Sequence, residues 1–129
     1  MDERLSILLV EDNLLNQRIV TFSLKRYNYE VTIANHGGEA IELFCEKKFD
    51  VILMDIMMPV MDGIEATVKI REIEKRDNIK NRTPIIALTA NTMDNDRDKC
   101  ISFGMDEFMA KPFDIEKLKS IFSELNIPS

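Results

Sequence analysis

The 129-residue sequence is long enough for one ordinary globular domain, which at that size buries about two thirds of the surface of its extended chain. Apolar residues make up 45% and charged residues 31%, with four glycines and four prolines, which is the composition of a folded chain rather than a disordered one. The net charge of -6 argues against binding to nucleic-acid phosphates, which requires a clustered excess of lysine and arginine. We expect residues 1–129 to form a single domain that binds no nucleic acid.

The amino-terminal sequence MDERLSILLV places acidic residues before a short apolar run, whereas a secretory signal has a basic region and a longer apolar stretch. No segment of the sequence approaches the roughly 20 apolar residues that span a membrane. We therefore expect a cytoplasmic protein without direct membrane contact. Cys45 and Cys100 lie in helix-like segments, in neither a metal-ligand spacing nor a close pair, and are predicted to be buried free thiols.

Short apolar runs alternate with longer segments of helical periodicity along the chain. The runs predict strands at 7–10, 31–34, 51–54, 85–88 and 108–110, and the longer segments predict helices at 13–27, 36–48, 63–76, 92–103 and 114–125. This alternation indicates an α/β fold made of βα units around a parallel sheet. Asn13, Asn35 and Asp114 are predicted helix N-caps, and Asn28 and Gly104 are predicted left-handed residues that end helices.

Polar residues follow several of the predicted strands, where ligands of open parallel sheets bind. They are Glu11 and Asp12, Asp55, Thr89 and Lys111. Two carboxylates about 4 Å apart repel by roughly 4 kcal/mol at an effective dielectric of 20, so the three acids predict a bound cation. Oxygen ligands with several waters favour Mg²⁺ over Ca²⁺. With a lysine and a hydroxyl nearby, the set predicts a phosphoryl-transfer site with a carboxylate nucleophile.

Each of these residues also has a structural explanation when it is taken alone. Asp12 fits a helix cap, and Asp55 fits a turn brace after a strand. Lys111 fits a solvated charge, and Thr89 fits a β-branched strand residue. The four together, in order at successive strand ends, favour the functional interpretation over coincidence.

Four segments resemble the receiver domains of two-component response regulators: LLVEDN at 8–13, ILMDIMMPVMDG at 52–63, PIIALTA at 84–90 and FMAKPF at 108–113. The resemblance runs from Ser6 to Leu125. It implies a doubly wound, flavodoxin-like sheet of order 2-1-3-4-5 with helices on both faces. It also implies that Asp55 is phosphorylated by a phosphohistidine on a histidine kinase or a histidine phosphotransfer protein.

The resemblance also implies a role for each matched site residue. Asp12, Asp55 and the backbone carbonyl of Met57 match the Mg²⁺ ligands, and Glu11 acts on the metal through water. In the same way, Lys111 matches the lysine that holds the phosphoryl group, Thr89 the switch hydroxyl and Phe108 the switch aromatic. The domain is then expected to be a signalling switch rather than an enzyme, monomeric before phosphorylation, and either a stand-alone regulator or part of a hybrid sensor kinase.

Three other functions are alternatives to this one. A haloacid dehalogenase-type phosphatase needs a second aspartate two residues after the nucleophile, where Met57 stands. A flavodoxin-like cofactor carrier needs a Ser/Thr/Gly-rich phosphate loop after the first strand, where the sequence has EDNLLNQ. A receiver-like interaction module that is never phosphorylated stays open.

The helix predicted at 13–27 carries two rows of residues. Asn16, Val20, Leu24 and Tyr27 can face the sheet, while Leu15, Ile19 and Phe22 form a second apolar row. Burial against a neighbouring helix and docking of a phosphodonor helix both explain the second row. His36, the single histidine, is predicted to be a solvated loop residue without a chemical role.

Overall fold

The computed structural model describes residues 4–55, 63–80, 82–89, 98, 101–110 and 113–127. Its strands are β1 (Ser6–Val10), β2 (Glu30–Ala34), β3 (Val51–Asp55), β4 (Ile85–Thr89) and β5 (Glu107–Ala110). Its helices are α1 (Leu14–Lys25), α2 (Gly37–Glu46), α3 (Gly63–Arg76) and α4 (Ile115–Glu124). Within these residues, no helix has both the length and the apolar character needed to cross a membrane.

The five strands form one parallel sheet in the order β2-β1-β3-β4-β5, which confirms the predicted fold and strand order. The central strand β3 is buried at all five positions, as expected for a strand covered on both faces. Asp55 lies opposite Leu88 of β4, and Thr89 lies opposite Ala110 of β5. The residues that end β3 and β4 therefore meet at the carboxyl edge of the sheet.

Alternating strand residues belong to two separate hydrophobic clusters, because successive side chains point to opposite faces of a sheet. On one face, Leu9 and Leu53 pack with Leu24 of α1 and Phe122 of α4. On the other face, strand residues pack with α2 and α3, through Ala40, Ala66 and Ile70 among others. Helices thus cover both faces of the sheet, as predicted.

Most of the predicted helix ends are confirmed. The Asn13 side chain accepts a hydrogen bond from the backbone N–H of Asn16 at 2.9 Å, and the Asp114 side chain accepts one from Glu116 at 2.9 Å. Asn28 and Gly104 have φ angles of 64° and 108°, which are left-handed as predicted. These caps satisfy backbone groups that a helix terminus leaves open.

Two local predictions near α2 are wrong. The N-cap of α2 is His36 rather than Asn35, and its Nδ1 accepts a hydrogen bond from the Glu39 N–H at 3.2 Å. His36 is therefore a half-buried capping residue rather than a solvated one. Asn35 instead donates its backbone N–H to the Glu39 carboxylate at 2.7 Å. An imidazole nitrogen can replace the usual carboxylate or amide at a cap because it is also a hydrogen-bond acceptor.

Cys45 is an exposed free cysteine, so its predicted burial is wrong, whereas Cys100 lies outside the described residues. The side chain of Cys45 projects from α2 away from the buried face that holds Ala40. Of the helix predicted at 92–103, the structure describes residue 98 and residues 101–103, of which 98, 101 and 102 are helical. The remainder of that prediction falls outside the described residues.

Candidate functional site

Three carboxylates meet at the carboxyl edge of the sheet. Glu11 directly follows β1, where its N–H continues the ladder to Ala34 at 3.0 Å, and Asp55 is the last residue of β3. One carboxyl oxygen from each of Glu11, Asp12 and Asp55 lies within 4.8 Å of the others. Glu11 and Asp55 are only 1% and 2% exposed, whereas Asp12 is open to solvent. The sequence prediction that these acids come together is confirmed in position.

The loop between β1 and α1 fixes the orientation of Glu11. Its Oε2 accepts a hydrogen bond from the Asn13 N–H at 3.2 Å. Its backbone carbonyl accepts one from Gln17 Nε2 at 2.6 Å, and the same Gln17 amide donates to Asn35 Oδ1 at 2.8 Å. Gln17 thus ties α1 to the ends of β1 and β2.

Gln17 is a supporting residue that the sequence interpretation missed. The sheet-facing row of α1 is Gln17, Val20 and Leu24, all buried, rather than the row through Asn16 and Tyr27. Asn16 is half-buried and Tyr27 is exposed. The i, i+3, i+7 spacing of the buried row could have identified Gln17, because that spacing places residues on one helix face.

The donor set suits a hard divalent cation. Three carboxylates within 4.8 Å of one another repel strongly when the site holds no cation, because burial of two of them lowers the local dielectric. Carboxylate oxygens with room for water on the exposed Asp12 side match the preference of Mg²⁺ for a few oxygen ligands plus waters. The residues present therefore fit the predicted metal.

The predicted switch residues share one face of the sheet. Thr89 is buried at the end of β4, one residue beyond the Leu88 that lies opposite Asp55. Phe108 lies opposite Ala87 and packs, half-buried, against the cluster that contains Ala87. Since residues two apart point to the same side of a strand, the Thr89 side chain lies on the Phe108 side of the sheet. The predicted pair thus lies on adjacent strands and on the same face of the sheet.

Two of the predicted site residues cannot be placed, because Lys111 and Met57 lie outside the described residues. The predicted phosphoryl-holding lysine and the predicted carbonyl ligand of the metal therefore remain sequence-based predictions.

The second apolar row of α1 lies on the surface beside this site. Leu14, Leu15 and Phe22 are 67%, 65% and 68% exposed, and Ile19 is 48% exposed. The alternative of burial against a neighbouring helix is therefore wrong. A cavity of about 100 Å³ opens between this row and the carboxyl edge, lined by Glu11, Asn16, Ile19, Val20, Leu88, Met109, Ala110 and Phe113. We call the exposed residues Leu14, Leu15, Ile19 and Phe22 the α1 patch.

The chain matches the family described as Response regulator receiver domain over residues 7–123. It is 45% identical over 113 residues to hybrid signal transduction histidine kinase B of Dictyostelium discoideum. The aligned segment covers 82% of this chain and 6% of that protein. It is 36% identical to histidine kinase 5 of Arabidopsis thaliana, over 92% of this chain and 15% of that protein. The chain thus spans a small fraction of the length of these relatives.

Solved structures give the same result. The receiver domain of a Saccharomyces cerevisiae response regulator, crystallised with its histidine phosphotransfer protein, superposes with a TM-score of 0.87 and 31% identity, covering 94% of this chain and 88% of that one. The receiver domain of a Pseudomonas aeruginosa sensor histidine kinase, with magnesium in its active-site cleft, gives a TM-score of 0.81 and 40% identity, covering 94% and 96%. This chain belongs to the response regulator receiver domain family, the signalling domains of two-component and phosphorelay systems.

Proposed function

We propose that this receiver domain accepts a phosphoryl group on Asp55 from a phosphohistidine donor and signals through the resulting change of its surface. The observation that carries the proposal is the meeting of Glu11, Asp12 and Asp55 within 4.8 Å at the carboxyl edge of the sheet. Among the three, Asp55 ends the central, fully buried strand, which gives it the most rigid support.

In the proposed reaction, a carboxylate oxygen of Asp55 attacks the phosphorus of the phosphohistidine. The new O–P bond forms as the N–P bond breaks, and the departing imidazole nitrogen keeps the bonding electron pair and takes a proton. The product is an acyl phosphate on Asp55. Fixed groups around a buried carboxylate act mainly by positioning and by stabilising charge, as in other phosphoryl transfers.

Mg²⁺ is the proposed cofactor. Asp12, Asp55 and the backbone carbonyl of Met57 would hold it, with Glu11 acting through water. When bound, the ion neutralises charge on the acids and on the incoming phosphoryl group. The magnesium in the active-site cleft of the Pseudomonas aeruginosa receiver domain supports this proposal, as does the oxygen-only donor set of this chain.

The response to phosphorylation is proposed to depend on three residues, Lys111, Thr89 and Phe108. Lys111 would hold a phosphoryl oxygen as a compact positive charge. The Thr89 hydroxyl would donate a hydrogen bond to the same group, after which Phe108 turns inward. The buried position of Thr89 and the position of Phe108 on the same sheet face support this coupling.

The α1 patch is the proposed docking surface for a helix of a histidine phosphotransfer domain or histidine kinase. Four exposed apolar side chains on one helix exceed what a solvated helix needs. The patch starts at Leu14, two residues after Asp12, so a helix bound there presents its histidine close to the site. The yeast complex of a receiver domain with a histidine phosphotransfer protein supports this partner class.

The remaining features of the proposal concern the extent and the setting of the domain. Residues 1–129 are proposed to form one domain, monomeric before phosphorylation, that works in the cytoplasm within or beside a hybrid sensor kinase. The hybrid histidine kinases among the relatives support that setting.

Acetyl phosphate labelling tests the acceptor. With Mg²⁺ present, intact-protein mass spectrometry should show one added phosphoryl group in the wild-type protein and none in Asp55→Asn. Asp77→Asn, an exposed acid after α3, serves as the matched control and should label normally. Labelling of Asp55→Asn at the wild-type level would contradict the assignment and favour a module that is never phosphorylated on Asp55.

Docking is tested separately from chemistry. Ile19→Glu in the α1 patch should slow phosphoryl transfer from a histidine phosphotransfer protein at least tenfold, while acetyl phosphate labelling stays unchanged. Val68→Glu on α3, also partly exposed and apolar, is the control and should affect neither reaction. Equal slowing in both variants would show that the α1 patch has no special part in donor binding.

A further inference from the structure

An ionic cluster lies at the amino edge of the sheet, opposite the site described above. Arg71 of α3 donates to Glu74 Oε1 at 2.7 Å and to Asp106 Oδ2 at 2.7 Å. It also donates to the backbone carbonyls of Gly104 at 2.8 Å and Thr83 at 2.8 Å. Arg71 is thus the centre of what we call the arginine cluster, made of Arg71, Glu74, Arg82 and Asp106.

Asp106 attaches the start of β5 to the start of β4. Its backbone N–H donates to the Ile85 carbonyl at 2.8 Å, and its Oδ2 accepts from the Ile85 N–H at 2.8 Å. The other carboxylate oxygen, Oδ1, accepts from Arg82. The backbone N–H and the backbone carbonyl of Ile85 are thus both bound by Asp106, whose charge is balanced by Arg71 and Arg82.

This attachment matters because β5 is poorly fixed by its own ladder. The strand has four residues and lies at the edge of the sheet, paired only with β4. A shift of one residue moves a strand by about 3.3 Å and turns every side chain to the other face. Phe108 and Met109 currently pack in different clusters on the two faces, so such a shift would exchange them.

The local backbone is shaped to hold Arg71 in place. Gly104 has a φ of 108°, and a Cβ there would lie 2.9 Å from Arg71 Cγ. Only glycine therefore allows the arginine stem to lie against this turn. Glu74 holds the other side of the guanidinium, and its Oε2 accepts from the Thr83 N–H at 2.7 Å.

We infer that Arg71 is a positioning residue for the phosphorylation site, although it lies at the opposite edge of the sheet. By holding Asp106 on Ile85, it fixes the register of β5, and this register places Phe108 and Ala110 relative to Thr89. This inference rests on the proposed function of Asp55. Displacement of reacting groups by about 1 Å can slow a reaction on the order of a hundredfold.

The test compares Arg71→Met, which keeps the length of the stem, with Arg71→Lys, which keeps the charge. Arg76→Met is the matched control, because Arg76 lies on the same helix in an exposed pair with Asp77. Three quantities are measured: the rate of Asp55 labelling by acetyl phosphate, the Kd for Mg²⁺, and the hydrogen exchange of the β5 amides.

Arg71→Met should slow labelling at least tenfold and speed β5 amide exchange at least tenfold. The Kd for Mg²⁺ should stay within twofold, because Glu11, Asp12 and Asp55 follow or end β1 and β3 at the opposite edge of the sheet. Arg71→Lys should restore part of both losses. Arg76→Met should behave as wild type in all three measurements.

Wild-type labelling in a folded Arg71→Met protein would overturn the inference. So would a parallel loss of Mg²⁺ affinity, since that indicates general loosening rather than positioning. If the wild-type protein itself is not labelled, the proposed function fails, while β5 exchange still tests whether Arg71 fixes the strand. Should Arg71→Met not fold, Asp106→Asn replaces it, with the same expected split between labelling rate and Mg²⁺ affinity.

Discussion

The two edges of one sheet use carboxylates in opposite ways. At the amino edge, Glu74 and Asp106 share Arg71, and Asp106 also binds Arg82. At the carboxyl edge, Glu11, Asp12 and Asp55 are crowded against one another within 4.8 Å. Paired charges with satisfied hydrogen bonds join elements of the fold, whereas like charges at one point store repulsion that a cation relieves.

This difference separates structural acids from functional ones without reference to their residue type. Glu74 and Asp106, which join α3 to the starts of β4 and β5 through Arg71, are explained by the fold alone. A group of three acids that the fold brings together at the carboxyl edge is not explained by the fold alone, because like charges held this close repel one another.

The largest effect is expected from breaking the paired edge. Glu74→Leu removes one of the two carboxylate partners of Arg71 and the acceptor for the Thr83 N–H, and the two losses together should lower the free energy of unfolding by about 3–5 kcal/mol. Glu72→Leu, an exposed acid on the same helix, should change it by less than about 0.5 kcal/mol. Urea denaturation of both variants gives the comparison. Similar values for the two would show that the arginine cluster contributes little to stability.

A smaller effect is expected for signal transmission at the crowded edge. Thr89→Ala should still be labelled on Asp55, yet lose on the order of 1.5–3 kcal/mol of the bias toward the active surface, because one charge-assisted hydrogen bond is missing. NMR shifts of Phe108 and residues 101–103, with and without beryllofluoride as a phosphoryl mimic, measure that bias. Thr89→Ser restores the hydroxyl and should restore the shifts. Full wild-type shifts in Thr89→Ala would assign the coupling to another contact.

Relief of repulsion should be smaller still. Asp55→Asn removes one of three clustered charges, so without Mg²⁺ it should raise the free energy of unfolding by about 1–2 kcal/mol. Adding Mg²⁺ should stabilise the wild-type protein and have little effect on this variant. Urea denaturation with chelator and then with Mg²⁺ measures both. A loss of stability in metal-free Asp55→Asn would show that the clustered charges are compensated within the chain.

The strands and the meeting of Glu11, Asp12 and Asp55 were predicted from apolar runs and from the polar residues that follow them, which are local signals. The order of the strands was predicted only through the resemblance to receiver domains. The sequence did not predict the arginine cluster. Arg71, Arg82 and Asp106 are far apart in sequence and carry no periodic signal, and only the packing of α3 on the start of β5 brings them together. Of the contacts around Arg71, the sequence indicated only the left-handed conformation of Gly104, and it did not show that this turn makes room for the arginine side chain.

The predictions for helix α1 were likewise right in part and wrong in part. Its position and N-cap were predicted from Asn13, but the sheet-facing row was assigned through Asn16 instead of Gln17. Both rows contain Val20 and Leu24, and the polarity of the side chains does not distinguish the neighbouring amides Asn16 and Gln17. The exposure of the α1 patch could not be predicted from the sequence either. It depends on whether another helix of the described structure packs over the patch, which is a property of the tertiary structure.

The smallest effect is expected at a surface pair that neither edge depends on. Asp77 lies beside Arg76, whose guanidinium Nε donates to Asp77 Oδ1 at 3.0 Å, and this hydrogen bond lowers the pKa of the Asp77 carboxyl. A group whose pKa is lowered by folding contributes stability that is present above its unfolded pKa and is lost as pH falls through its folded pKa. Because the pair is exposed, that contribution should be slight and should fade in high salt. Carbon-13 NMR titration of the Asp77 carboxyl should show its pKa returning to the ordinary aspartate range in Arg76→Gln, and also in wild type at about 1 M salt. An unchanged, lowered pKa in Arg76→Gln would mean that another group, rather than Arg76, holds the proton off Asp77.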